Sequence, residues 1–199
     1  MINRIFIILF FAFSSLYFST VFPKNRVEHV SKTYCCPKLM EAFSLIRDMP
    51  QVNDLLSKIL EDGPLYIRSN HHFTKKFEGY WSGNDRTIYV TKIHSKAVQI
   101  NTILFEMHNA INDSELEHLD CLAYYGKINR ADYIRAVEYW EYKNAKATAA
   151  ILNEGIEAAI FPEECYWYLS DDFEEHFHYQ QSAGHSAYIG KMYDSVVGM

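Results

Sequence analysis

Residues 95–111 constrain this chain more than any other segment. Between Ala97 and Ile111 the only formally charged side chain is Glu106. At about 100° per residue, Ala97, Ile100, Leu104, Met107 and Ile111 fall in one stripe with Ile103 beside it, and that stripe reads as a core face. The other side carries Val98, Thr102, Phe105, Glu106 and Asn109, where a surface helix would carry lysines and more glutamates. A helix this poor in charge needs cover on both sides. Ser95 is placed to cap its first turn. Glu106 is then a carboxylate in an enclosed place.

The flanking patterns supply that cover. Pro37 suits the first position of a helix, and Leu39, Phe43 and Ile46 recur at helical spacing up to Met49-Pro50. A second helix follows on Val52, Leu55, Leu56, Ile59 and Leu60 and stops at Gly63-Pro64. Residues 65–68 alternate like a strand, and 77–81 and 86–91 flank the turn cluster 82–85 as a hairpin. Beyond residue 95 everything reads as helix. A break is expected at 120–126, a long helix over 130–161 ended by Pro162, a new start at Glu163-Glu164, and a last helix capped by Ser170 or Asp171 and running toward Tyr193. The expected class is α+β, mostly helical: a small antiparallel sheet over about 64–92, the central helix, then a helical C-terminal part.

The N-terminus has a different character. Arg4 is followed by unbroken apolar sequence over residues 5–13, and Pro23, Lys24 and Arg26 close the segment. A cationic head before an apolar core of about 7–15 residues is the layout of a secretory signal. No clean cleavage site is visible, so an uncleaved membrane anchor in contact with lipid through residues 5–22 stays open. The expected organisation is a targeting segment 1–22, a tether 23–36 and one globular domain 37–199, secreted or anchored outside the cytoplasm. The chain is 49% hydrophobic and 22% charged, as folded domains are. A net charge of −6 and the lack of a basic run exclude a nucleic-acid partner. Four cysteines in an exported chain point to disulfides: Cys35 and Cys36, too close to bridge each other, are expected to divide Cys121 and Cys165 between them. The fifteen tyrosines, clustered at 133–142 and 166–168, read as the wet margin of a helical core.

The string Leu104-Phe105-Glu106-Met107-His108-Asn109-Ala110 resembles the zincin signature His-Glu-x-x-His, often followed by Ala. Phe105 stands at the first histidine, Glu106 keeps the glutamate and Asn109 stands at the second histidine. The edge-like strand expected at 86–91 precedes the helix as in zincins, and Asn153-Glu154 resembles the Asn-Glu that carries the third ligand of glutamate-type zincins. The resemblance implies a zincin-like fold with Phe105, Glu106, Asn109 and Glu154 as cleft candidates. It does not imply the chemistry. Phenylalanine binds no metal and asparagine is a poor zinc ligand, so Glu106 would have no metal-bound water to activate.

The reading that follows is a pseudo-metallopeptidase: an exported, catalytically inactive domain that binds a protein or peptide and holds no cofactor. Two alternatives stand beside it. One is a peptidase-like hydrolase using Glu106 with zinc on non-standard ligands; the other is an envelope protein with a structural role. Other metal candidates are weaker. His108 lies at the margin of the core stripe and reads as a hydrogen-bonded helix histidine. Glu115-x-x-His118, supplemented by Glu138-x-x-Glu141, has the spacing of carboxylate–histidine bundle sites. His176, His178 and His185 form a terminal histidine group, and His71-His72 reads as loop. No nucleophile elbow and no phosphate-binding glycine loop is present.

Overall fold

The computed structural model describes residues 32–70, 78–91 and 95–198. The targeting segment 1–22, most of the tether and His71-His72 lie outside the described residues. Seven α-helices and four strands follow in the order β1 (Thr33–Cys35), α1 (Met40–Arg47), α2 (Pro50–Glu61), β2 (Leu65–Asn70), β3 (Gly79–Ser82), β4 (Thr87–Thr91), α3 (Lys96–Ile111), α4 (Asp113–Tyr124), α5 (Arg130–Glu157), α6 (Phe173–Ala183) and α7 (His185–Val197). The class is α+β and mostly helical. No helix among the described residues is long and apolar enough to cross a membrane.

The sheet runs β1-β2-β4-β3. β1, β2 and β4 are parallel, and β3 returns antiparallel along β4 as the edge. The register puts Cys35, Ile67, Ile88 and Trp81 in one row across the sheet, on the face that packs against the helices. The first core forms there: Phe43 and Ile46 from α1, Val52 and Ile59 from α2, Ile67, Ile88 and Val90 from the strands, and Ile100, Ile103, Leu104 and Met107 from α3. The opposite face pairs Tyr34 with Tyr66 and Tyr80 with Tyr89, each ring stacked on its neighbour. A second core joins α4, α5 and α7 through Leu116, Leu119, Ala123, Tyr133, Val137 and Ile189.

Ser95 caps α3, its side chain accepting from the Val98 N–H, and α3 is central, with eleven of its sixteen residues buried. Several boundaries differ from the sequence reading. The sheet is mixed rather than antiparallel, because the expected tether contributes β1 and the chain returns through α1 and α2 to a parallel neighbour. The strand before α3 is interior, since β3 takes the edge. Pro37 lies in a turn and α1 begins at Met40. The break after α4 falls at residues 125–129 around Gly126, whose φ of 64° is a left-handed conformation that glycine adopts freely. Glu163–Cys165 makes only a 3-10 turn. Asp172 caps α6, and Gly184, at φ 85°, divides the expected last helix into α6 and α7.

The disulfide expectation is corrected. All four cysteines are free. Cys35 and Cys36 are half-buried at the end of β1, Cys165 is sealed in the sheet-side core, and Cys121 is exposed on α4. Burial, with help from the Glu164 charge, pushes the Cys165 thiol up to about 12.

Candidate functional site

The residues that stand out chemically lie on the side of α3 that meets α5, with Glu106 also within reach of the Trp81 backbone on β3. Glu106 is fully buried. Asn109, one turn on, donates to its Oε2 at 2.8 Å. Asn144 on α5 donates to Asn109 Oδ1 at 2.8 Å, and Asn112 donates to Asn144 Oδ1 at 2.6 Å. The three amides form a directed chain with every N–H pointing toward Glu106, so each bond polarises the next. Burial still dominates. It pushes the Glu106 carboxyl up to about 8, against the opposing pull of Asn109 and the Trp81 backbone amide. Oε1 is left without a hydrogen-bond partner.

The neighbouring positions of the string are occupied by packing. Phe105 is buried and meets Trp167 edge-on at 5.4 Å between centroids. His108 Nδ1 lies 2.9 Å from the Leu104 carbonyl and 3.1 Å from the Thr148 hydroxyl, a satisfied helix histidine whose pKa burial lowers. Glu154 is elsewhere: it sits exposed near the end of α5 and accepts from Gln51 on α2. The structure thus brings Phe105, Glu106 and Asn109 together as interior and leaves Glu154 at the surface.

Beyond Glu106 the seam continues into a second cluster. Glu138 and Glu141 stand at i and i+3 on α5 and face His185, the first residue of α7; all three are buried. One ligand atom from each lies within 4.8 Å of the others. His185 Nδ1 is 3.1 Å from both oxygens of Glu138, and the Ser186 hydroxyl donates to Glu138 Oε1 at 2.6 Å. His185 Nε2 is 3.5 Å from Glu141 Oε2 and has no hydrogen-bond partner. Burial, then the charges of Glu138 and Glu106, hold the Glu141 carboxyl well above its ordinary value. Arg130 pins the start of α5 to the end of α7 through a two-pronged contact with Asp194, its guanidinium crossing the bare Cα of Gly190. That contact joins the same two helices that the buried Tyr133, Val137 and Ile189 pack together.

The other candidates are dispersed. Glu115 and His118 lie on the exposed side of α4, away from Glu138 and Glu141. His178 is exposed, His176 packs on Tyr142, and His185 alone of the three reaches the interior. Sequence reasoning noticed Glu138-x-x-Glu141 but paired it with the wrong histidine. The i, i+3 spacing among Val137, Tyr142 and Ala145 was the available signal; nothing in the sequence ties it to a histidine forty-odd residues on. Comparison with known families, with curated proteins and with solved structures finds no match to this chain.

Proposed function

We propose that this chain is an exported or membrane-anchored, non-catalytic domain of zincin-like build that works by binding a protein or peptide partner. The observation that carries the reading is the state of Asn109. At the second ligand position of the motif, it is used on both sides, donating to Glu106 and accepting from Asn144. With Phe105 packed on Trp167 at the first position, the motif has become interior structure. Glu106 is closed off from solvent, and a general base must reach its substrate.

The surface for binding is the face of the sheet that no helix among the described residues covers. Parallel strands are usually covered on both faces. Here Tyr34 and Arg68 are exposed and Tyr66, Tyr80 and Tyr89 half-buried on the side away from the helices. Stacked tyrosines beside an arginine, whose guanidinium lies 5.0 Å from the Tyr66 ring, make a rigid contact surface of the composition that protein interfaces favour.

Two measurements test this. Full-length protein supplied with zinc should cleave no peptide or ester above the blank, and Glu106→Gln should behave identically; cleavage lost in the variant would establish the hydrolase instead. A photo-crosslinking residue at Tyr66 should trap a discrete partner that the same residue at Tyr125, on the opposite part of the molecule's helical half, does not. Equal labelling from both positions would remove the sheet face from the reading.

A further inference from the structure

The cluster on α5 and α7 has a chemical problem that its own hydrogen bonds do not solve. Glu138 accepts from the Ser186 hydroxyl and faces His185 Nδ1 with both oxygens. A carboxylate so placed needs a donor, so Nδ1 carries the imidazole proton and Nε2 presents a lone pair. That lone pair is aimed at Glu141 Oε2, another acceptor, across 3.5 Å, with no hydrogen-bond partner and no exposed surface. Glu141 is itself buried beside Glu138 and Glu106, and among the described residues no lysine or arginine pairs with it. The raised Glu141 carboxyl can fill this gap with its own proton; without a proton or a cation between them, two buried lone pairs face one another, which is costly for both.

A metal ion resolves the arrangement. Ligand atoms bound at about 2.0–2.2 Å to a shared tetrahedral ion stand about 3.2–3.6 Å apart, which is the separation of His185 Nε2 and Glu141 Oε2. A carboxylate on the far nitrogen of a ligating imidazole fixes its tautomer and raises its basicity, which is the place of Glu138. We propose that His185 Nε2 and Glu141 bind a divalent first-row transition-metal ion, with Glu138 holding the imidazole from its other nitrogen. Imidazole with carboxylate suits zinc and manganese and gives no preference for the thiol-loving ions. A surface cavity of about 430 Å³, lined among others by Asp132, Gln181 and Ser186, approaches the cluster at Ser186, the residue that touches Glu138. The site lies where α5 meets α7 and does not use the zincin-like positions Phe105, Asn109 or Glu154, so it stands or falls independently of that ancestry. Its enclosure makes the ion a structural tie between two helices.

The test uses the full chain, stripped with chelator and dialysed against zinc or manganese in turn. Mass spectrometric metal analysis should find one ion of at least one of the two per chain, and loading should raise the melting temperature. Cobalt, substituted as a coloured probe, should give visible ligand-field absorption in the unmutated protein. His185→Ala and Glu141→Gln should each abolish stoichiometric loading. Glu138→Gln, which keeps the shape and the Ser186 contact, should weaken binding by about 10–100-fold. A wild-type chain that takes up neither ion, or one that gives no ligand-field band with cobalt, overturns the proposal. So does a folded His185→Ala chain that still loads one ion. Should His185→Ala fail to fold, Glu138→Gln decides: unchanged affinity there overturns the proposal equally.

Discussion

The two sides of α3 meet different worlds. Toward the sheet, Ile100, Ile103, Leu104 and Met107 join a largely apolar core shared with α1, α2, β2 and β4. Toward α5, Glu106, Asn109 and His108 are also buried, yet they meet Asn144, Thr148 and, further along, Glu141. Burial is equal and its physics is not. The sheet side is held by non-directional contact, which tolerates repacking if volume is kept. The α5 side depends on a chain of amides with one workable direction, so a single deletion strands a polar atom.

The largest expected effect lies on the apolar side. Leu104→Ala removes a fully buried side chain from the centre of the sheet-side core and leaves a cavity. It should cost about 2–5 kcal/mol, read as a lower denaturation midpoint at unchanged slope. On the polar side, Asn109→Ala removes the amide between Glu106 and Asn144 and should cost about 1–3 kcal/mol, because the Glu106 acceptor and the Asn144 donor each lose a partner. Asn109→Leu, apolar and close in volume, distinguishes the two sides further. If it were as well tolerated as Leu104→Met, the amide chain would be incidental and the contrast would fail.

Legibility in the sequence followed the same division. The stripe at Ala97, Ile100, Leu104, Met107 and Ile111, the Ser95 cap and the hairpin were all readable, because periodicity and capping are local. The parallel sheet was not, since the three residues of β1 carry no alternation long enough to notice and its partner β2 lies thirty residues on. The enclosed state of Glu106 was readable from Phe105 and Asn109 beside it. Its amide chain was not, because Asn144 looks like any polar residue on a long helix until α5 is laid against α3. His185 was hidden for the same reason: it starts a helix whose boundary depends on the left-handed Gly184.

Set by pH rather than by packing is the contribution of Glu106. Its carboxyl titrates near 4.5 when exposed and about 8 when folded. Below 4.5 both states hold the proton and the group is neutral to stability. Between 4.5 and 8 the folded chain keeps a proton that the unfolded chain has released, so stability falls as pH rises, by at most about 1.4 kcal/mol per unit. Above 8 the loss is complete. Glu141, Glu138 and His185 face the same seam, and Glu141 adds a slope of the same sign. In chelator-treated protein, Glu106→Gln should lie within about 1 kcal/mol of wild type near pH 5 and become increasingly the more stable of the two as pH rises to 8. Melting temperatures across that range check it. A wild-type chain that gains stability from pH 5 to pH 8 relative to the variant would mean that Glu106 is paired with a cation rather than held by burial.

The smallest effect should come from Glu154, and it bears on what the contrast means. Read as sequence, Glu154 was the one distant residue with a claim on Glu106, through its resemblance to the third ligand of glutamate-type zincins. In the structure it lies on the exposed flank of α5, bonded to Gln51, while Glu138 and Glu141, thirteen or more residues earlier, turn inward. A carboxylate in water with a neutral amide partner contributes little, because solvent replaces the bond at small cost. Glu154→Ala should therefore change stability by less than about 0.5 kcal/mol and leave metal content untouched. The same substitution at Glu141 should remove the metal, though the two residues are thirteen apart on one helix. Thirteen residues at 100° each come to 1300°, or about 140° short of a full turn, so the helix itself forbids both from facing α3 and α7 together. If Glu154→Ala nevertheless released a bound ion while Glu141→Gln did not, α5 would have to be rotated from its present setting. The polar side of α3 would then face a different set of partners, and the division between its two sides would have to be redrawn.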